Sequence, residues 1–319
     1  MSDELETLCS TAGSGFALRR MFHAHIRVPD VGYVERWFSR VFGRTSARLG
    51  DVLGPSGDPL NPTHHTTYTQ IADLLVASID PRSYTRDGVP FYPVTDRPQL
   101  NGFGWYVDGI EELLDWIRDL GYPVVDERNA LVHEGVLPTA GRSKIPMFWL
   151  EPEIAGQRYQ FVSTGSLLDH RLKPWSESAA VRNDPLGIVR CAHHTVLTAE
   201  PKRLVRLFAD VLGGTVIHEG RDDDRGVDSV YVKLVDDVFE FAVPDRGSPA
   251  YADLPPGIPR DTYHSVTFQV ADLDQVACHL AAEGVQLRSR TERRIVTDPR
   301  ASLGVSWGFV PSAAPGGAC

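Results

Sequence analysis

Long apolar runs are missing from this 319-residue chain. None approaches the roughly 20 residues that cross a bilayer, and the segment Met1–Ser10 is acidic and polar rather than a secretory signal. Cysteine is scarce as well. Cys9, Cys191, Cys278 and Cys319 are scattered without a Cys-x-x-Cys pair, which excludes a disulfide framework and a thiolate zinc site. Cys191 and Cys278 lie in apolar contexts as core residues and the other two in terminal tails, so a reduced, cytoplasmic protein is expected. A basic surplus is missing too: 32 Lys and Arg face 42 Asp and Glu, a net charge of −10. That balance argues against nucleic acid or an anionic membrane as partner. There is no phosphate loop, no Gly-x-Ser-x-Gly elbow, no Gly-x-Gly-x-x-Gly after a strand and no His-Glu-x-x-His. Phosphate-loop enzymes, α/β-hydrolases, nucleotide-dependent dehydrogenases and zincins are therefore set aside.

What is present is a repeat. Cys191–Pro201 reads as a strand carrying two adjacent histidines, followed by an amphipathic helix over Lys202–Leu212 and a Gly213-Gly214 stop. Upstream, Phe22–Val28 alternates as a strand. Val31–Phe42 then places Val34, Trp37, Phe38, Val41 and Phe42 on one helical face, with Gly43 as the left-handed stop. Twenty residues separate His193 from Gly213, and twenty separate His23 from Gly43. A second kind of module starts at Asn101, with a helix over Ile110–Leu120 stopped by Gly121 and a last strand over Gln157–Val162. Val276–Gln286 matches Leu114–Val124 in helix face and in the glycine that starts the next strand. Self-similarity at fixed spacing outranks local propensity, and it predicts four β-α-β-β-β modules. The expected organisation is a tail over 1–20, a two-module domain over 21–165, a linker over 166–188, a second two-module domain over 189–313 and a tail over 314–319. At this length each half can bury its own core.

The pattern His-x-x-(apolar)-x-x-x-(Asp/Glu), running into a helix that ends Phe208-Ala-Asp-Val-Leu-Gly213, resembles the vicinal oxygen chelate superfamily. His193 to Gly213 carries the resemblance, and His23 to Gly43 carries it more weakly. The superfamily includes glyoxalase I, type I extradiol ring-cleaving dioxygenases, methylmalonyl-CoA epimerase and the bleomycin and fosfomycin resistance proteins. The resemblance implies an α+β fold, with four βαβββ modules paired into two half-open β-barrel cups. In size and organisation a four-module chain is most similar to the extradiol dioxygenases.

The resemblance also implies a divalent metal held by a few His and carboxylate ligands, with sites left open for substrate oxygens. Fe(II) suits a two-His, one-carboxylate set, Zn, Mn or Ni are compatible, and a cup without metal is the alternative. Carried across residue by residue, the first histidine falls on His193, while His194 points to the other face of the strand. On the first strand of the fourth module the candidate is His264. Read without a gap from Asp272, however, Ser265 takes the ligand position, and a bulge would be needed to bring His264 into register. Glu240 is an acid inside the apolar strand Val235–Pro244, costly unless bound or paired; an ion pair with Lys233 or an arginine is its other reading. Gly308 stands where extradiol dioxygenases keep their glutamate. The implied metal ligands are thus His193, Glu240 and His264, with His193 and Glu240 catalytic. The strand aromatics Trp105, Tyr159, Tyr231 and Trp307 either belong to the core or line the cups, and Tyr231 and Trp307 are the candidates for an aromatic wall against substrate. In the N-terminal cup His23 and His25 share a face and Gln160 takes the glutamate position, so this half is expected to be structural.

His64 and His65 read as loop residues, and His170, His218 and His279 as exposed linker, loop and helix positions. Arg221–Arg225 reads as a solvated turn. The function expected is a metal-dependent enzyme resembling extradiol-type dioxygenases, acting in the C-terminal cup on a small aromatic substrate with vicinal oxygens. Three alternatives stand beside it. One is a metal-free protein that binds or sequesters a planar small molecule, as bleomycin resistance proteins do; another is a glyoxalase-like lyase or isomerase. The third is a metal-free enzyme with His193 and Glu240 as acid and base. A small molecule is the expected partner. The four modules complete both cups within one chain, so a homodimer is compatible but not required.

Overall fold

Alternation of apolar and polar residues builds one long strand at the head of each half, and everything else is arranged around these two. The structure, a computed structural model, describes residues 15–53, 63–86, 88–140, 144–166, 184–254 and 261–311. The expected tails up to residue 14 and from 314, the linker residues 167–183 and His170 lie outside the described residues.

The first module runs β1 (Ala17–Arg27), α1 (Val31–Val41), β2 (Ser46–Arg48), α2 (Leu49–Leu53), β3 (Thr66–Ile71) and β4 (Leu74–Ile79). A small hairpin of β5 (Thr85–Arg86) and β6 (Val89–Pro90) follows. The second module comprises β7 (Gln99–Asp108), α3 (Ile110–Asp119), β8 (Val124–Val125), β9 (Thr139–Ala140), β10 (Ile145–Leu150), α4 (Pro152–Ala155) and β11 (Arg158–Ser163). The third has β12 (Ile188–Thr198), α5 (Pro201–Val205, continued to Val211 as a wider π-helical turn), β13 (Thr215–Asp222), β14 (Val227–Leu234) and β15 (Asp237–Pro244). After α6 (Pro249–Ala252), the fourth has β16 (Asp261–Val270), α7 (Leu273–Ala282), β17 (Leu287–Arg290), β18 (Ile295–Thr297) and β19 (Ser306–Val310).

Two open mixed sheets result, in the orders β2-β3-β4-β1-β7-β11-β10-β8 and β13-β14-β15-β12-β16-β19-β18-β17. The connectivity is the same in both. The first strands of paired modules run antiparallel at the centre, and each module's last strand lies parallel beside its first. Even the irregularities recur: register shifts fall just before His23 and His193, and again just after His25 and Thr195. This is an α+β fold of four βαβββ modules. Among the described residues no helix is long and apolar enough to cross a membrane.

Local chemistry explains the helix ends. Asp30 and Asp272 accept hydrogen bonds from the first free N–H groups of α1 and α7. Gly43 and Gly213 take the left-handed conformation just past their helices, at φ 63° and 81°.

One core spans both halves. Trp37 on α1 stacks on Trp307 of the second sheet at 6.1 Å, and Phe42 meets Trp307 at 5.3 Å and Phe268 at 5.9 Å. Reciprocally, Phe208 from the third module's helix packs on Trp105 and Tyr159 of the first sheet, at 5.8 and 5.5 Å. Strand alternation then leaves the opposite face of each sheet to form a cup.

Several expectations change here. Trp307 is fully buried in this shared core, so it is not a cup wall; its neighbours Ser306 and Gly308 take the cup face. His194, by contrast, is where it was expected, on the other face of the strand: it is fully buried, sharing a 2.7 Å hydrogen bond with the Tyr263 hydroxyl and stacking on Phe239. His279 is half-buried between the halves, bonded to the Val41 carbonyl at 2.9 Å, rather than exposed. Cys278 is exposed, not core, because α7 buries Val276, Ala277 and Leu280 and turns residue 278 outward. Ala17–Arg20, expected in the tail, already belong to β1.

Candidate functional site

The cup of the C-terminal half encloses a cavity of about 820 Å³, a size suited to a small organic ligand. β12 sends His193 and Thr195 onto its face, β14 sends Ser229 and Tyr231, β16 sends Ser265 and Thr267, and β19 sends Ser306 and Gly308. His218, expected in a loop, lies on β13 and lines the cavity near Tyr231, with ring centres 5.7 Å apart.

Glu240 sits behind this wall, fully buried, and does not itself line the cavity. Arg225 grips it at both oxygens, Nη1 to Oε2 at 2.8 Å and Nη2 to Oε1. Ser229 Oγ and Tyr231 OH also donate to Oε1, at 2.8 and 2.9 Å, and Thr195 Oγ1 donates to Oε2 at 2.6 Å. Burial alone would push the carboxyl up. The Arg225 charge and hydrogen bonds, helped by His193 and Thr195, outweigh it and hold Glu240 well below the usual carboxylate range. Burial and the Glu240 charge push the Tyr231 phenol up, which keeps it a donor. The alternative reading of Glu240 as paired to an arginine is the observed one.

His193 stands beside this network, its Nε2 3.7 Å from Glu240 Oε2. Burial lowers its pKa to about 4, with Glu240 opposing and Arg225 adding to the shift. The ring is therefore neutral at physiological pH. The nearby carboxylate favours the tautomer with its proton on Nε2, and Nδ1 has no hydrogen-bond partner among the described residues.

His264 does not join them. A bulge is present at this residue, since Thr195 pairs with Ser265 and Val196 with Tyr263. It brings His264 to the cavity wall, but its Nε2 bonds to Asp253 at 2.8 Å, and Asp253 is also held by Arg288. The expected ligand set of His193, Glu240 and His264 is thus not assembled. Among the described residues no three His, Cys, Asp or Glu side chains are grouped to hold a metal ion.

The chemistry of the remaining positions agrees. The residue opposite His193 on β16 is Thr267, and opposite Thr267 on β19 is Gly308. A Cβ at Gly308 would lie 2.5 Å from Thr267 Oγ1, so the threonine fills the space a glutamate side chain would enter. A cation at Glu240 would have to displace a guanidinium bound at both oxygens. A divalent metal does not fit this donor set.

In the N-terminal cup the inward side chains pack against one another. His23 Nε2 donates to Gln160 Oε1 at 3.1 Å and also contacts His25 Nε2. Phe22 stacks on His23 at 3.9 Å and meets Tyr106 at 4.7 Å. Tyr92 sets its ring edge-on to His25, and the Arg158 guanidinium lies 4.7 Å over Tyr92. His65 lies in the loop before β3, as expected, and is buried there, stacked on Tyr84 at 4.1 Å.

Arg225 is the main residue that sequence reasoning missed. The run Arg221–Arg225 does turn, between β13 and β14, but the last arginine folds back to the buried acid instead of facing water. A buried acid on the strand after next was the available signal.

By sequence the chain matches no protein-family model and no curated protein. By structure it is similar to a variant of 4-hydroxymandelate synthase from Streptomyces coelicolor, at 12% identity and a TM-score of 0.57 over 93% of this chain and 94% of that one. It is similar to the 2,3-dioxygenase LapB from Pseudomonas sp. KL28, at 14% identity and a TM-score of 0.54 over 92% of each chain. A catechol 2,3-dioxygenase aligns at 12% identity and a TM-score of 0.57, over 95% of this chain and 90% of its own. Likeness at this level of identity speaks for the fold, over almost the whole length of both partners.

Proposed function

With the vicinal oxygen chelate fold as its premise, we propose that the C-terminal cup is the working site and binds a small molecule without a metal at the family's ligand position. One observation carries this reading: the Arg225 guanidinium sits on the Glu240 carboxylate, where a cation would have to sit. An arginine fork supplies the counter-charge and takes a lone pair on each carboxylate oxygen, and the Ser229, Tyr231 and Thr195 hydroxyls occupy the remaining acceptor capacity. Thr267 and Gly308 across the cup offer no replacement ligand. His193 then works as a neutral imidazole, a hydrogen-bond partner for the bound molecule and a base if that molecule carries an acidic proton. Glu240 is removed from direct acid–base work and becomes the group that fixes Arg225, Tyr231 and Thr195 in place.

A second reading is favoured by a specific observation, the likeness to two dioxygenases over nine-tenths of the chain. On that reading the protein is a metal-dependent oxidoreductase, and Arg225 must release Glu240 before any ligand set forms. Metal analysis of anaerobically purified protein, followed by titration with Fe(II), Zn and Mn, separates the two. The expected result is metal far below one per chain, unchanged in His193→Ala. About one metal per chain that His193→Ala abolishes would sink the metal-free reading.

A further inference from the structure

Most of the charges around the C-terminal cup are engaged with one another. Arg225 holds Glu240 and Asp222, and Asp222 also takes Arg294 Nη1 at 2.9 Å. Arg221 is shared among Asp223, Asp228 and Asp245. His264 and Arg288 share Asp253. Arg293 and Asp224 line the cavity from exposed positions and are opposite in sign.

Apart from the exposed Arg293 and Asp224 and the Nε–H of Arg294, which has no partner among the described residues, the free hydrogen-bonding capacity on the cavity wall is neutral. The hydroxyls of Ser265, Thr267 and Ser306 line the cavity, and among the described residues they make no hydrogen bond to protein. Ser265 lies opposite Ser306, and Thr267 follows two residues along the same strand, so neighbouring hydroxyls are about 5–7 Å apart. Each can both donate and accept. Leu197, Val227 and Val296 add an apolar wall.

We propose that this cup selects an uncharged small molecule with at least two oxygen or amide groups, bound by the Ser265, Thr267 and Ser306 hydroxyls and by His193. This rests on the metal-independent reading of the same cup. A ligand with a fixed charge would leave water and find the buried counter-charges already engaged, with only the exposed Arg293 and Asp224, opposite in sign, left free, which disfavours it. A neutral one exchanges water for hydroxyls that otherwise lack partners. The sequence-based expectation of a planar aromatic ligand is narrowed to a condition on charge rather than on shape.

The test uses the full chain and two matched series: catechol, protocatechuate and dopamine, then glucose, glucuronate and glucosamine. Each series keeps a skeleton and changes its charge from neutral to negative to positive. Binding is measured by calorimetry, with Thr267→Val and Ser306→Ala compared at matched melting midpoints. The expected result is that a neutral member binds at least ten-fold tighter than its charged counterparts, and that each variant weakens it roughly five-fold. Three results overturn the proposal: a charged member binding as tightly as the neutral one, neutral binding untouched by both variants, or no saturable binding of either neutral probe. A charged member whose binding is lost in Thr267→Val overturns the charge condition and leaves the cup reading standing. A stoichiometric metal lost in His193→Ala overturns both.

Discussion

The two cups share a topology and three register shifts, yet the residues at matching positions differ in kind. His23 corresponds to His193, and Tyr68, opposite Ala77, corresponds to Tyr231, opposite Glu240. The N-terminal half has His25 beside Ala77 where the C-terminal half has Thr195 beside Glu240. Across the centre, the N-terminal pair is Gly104 with Gln160 and the C-terminal pair is Thr267 with Gly308. The glycine has changed strands. One cup packs its inward histidines and aromatic rings against one another, and the other keeps a buried ion pair under a cavity. Duplication preserved the frame, and the site differs because a handful of inward positions were refilled.

The largest effect tests whether the halves are separate at all. Trp307 is fully buried between the second sheet and α1 of the first half. Trp307→Ala is expected to cost about 4 kcal/mol and to lower the stability of both halves together. Urea unfolding followed by tryptophan fluorescence and by far-UV circular dichroism should give one shared transition. Two separated transitions would break the picture of a single core.

The ion pair comes next, because Ala77 stands in the N-terminal half at the position of Glu240. Arg225→Ala strands a fully buried carboxylate and is expected to cost about 3 kcal/mol. Arg225→Met combined with Glu240→Leu should recover most of that loss, since no charge then remains buried. Denaturant midpoints for the three proteins decide it; equal losses in the single and double variants would mean the pair is not the source.

Much of this frame was legible in the sequence. The spacing from histidine to glycine marked the repeats, helical periodicity picked out Val34, Trp37, Phe38 and Val41, and the same spacing chose His193 over His194. The content of the cup was harder to read, for physical reasons. A bulge at His264 is a property of two paired strands, invisible in one of them. It moves the partner of His193 to Thr267, two residues beyond Ser265. Arg225 reaches Glu240 with a long side chain from a turn, and no periodicity describes that reach. Trp307 was different: with Gly308 at a cup position, alternation already placed its neighbour on the opposite face.

The glycine exchange sets a smaller, local test. A Cβ at Gly308 meets Thr267 Oγ1 at 2.5 Å, whereas at Gly104 the nearest atoms are Gln160 Oε1 and His23 Nε2 at 3.2 and 3.3 Å. Gly308→Ala is expected to cost about 2 kcal/mol by overpacking. Thr267→Gly should relieve part of it, giving a coupling of roughly 1 kcal/mol in a double-mutant cycle. Additive losses would mean the two side chains do not compete for one space.

The smallest effect separates the buried histidines from the buried acid through pH. His193 titrates at about 4 in the fold and near its ordinary value of 6.5 when unfolded. Between those values the unfolded chain binds more protons, so stability falls as the pH drops from about 6.5 toward 4. His65 in the other half is lowered to about 4 by the same cause, burial, and gives the same sign. Glu240 is held below its ordinary value of 4.5, so its contribution is present above that pH and is lost only under stronger acid. From pH 7 to 5.5 the slope therefore belongs to histidines, each supplying about 1 kcal/mol. His193→Gln and His65→Gln should each flatten the curve of urea midpoint against pH by a similar amount. A curve unchanged by His193→Gln would place that ring in contact with water, and a curve flattened by only one variant would show that the two halves bury their histidines unequally.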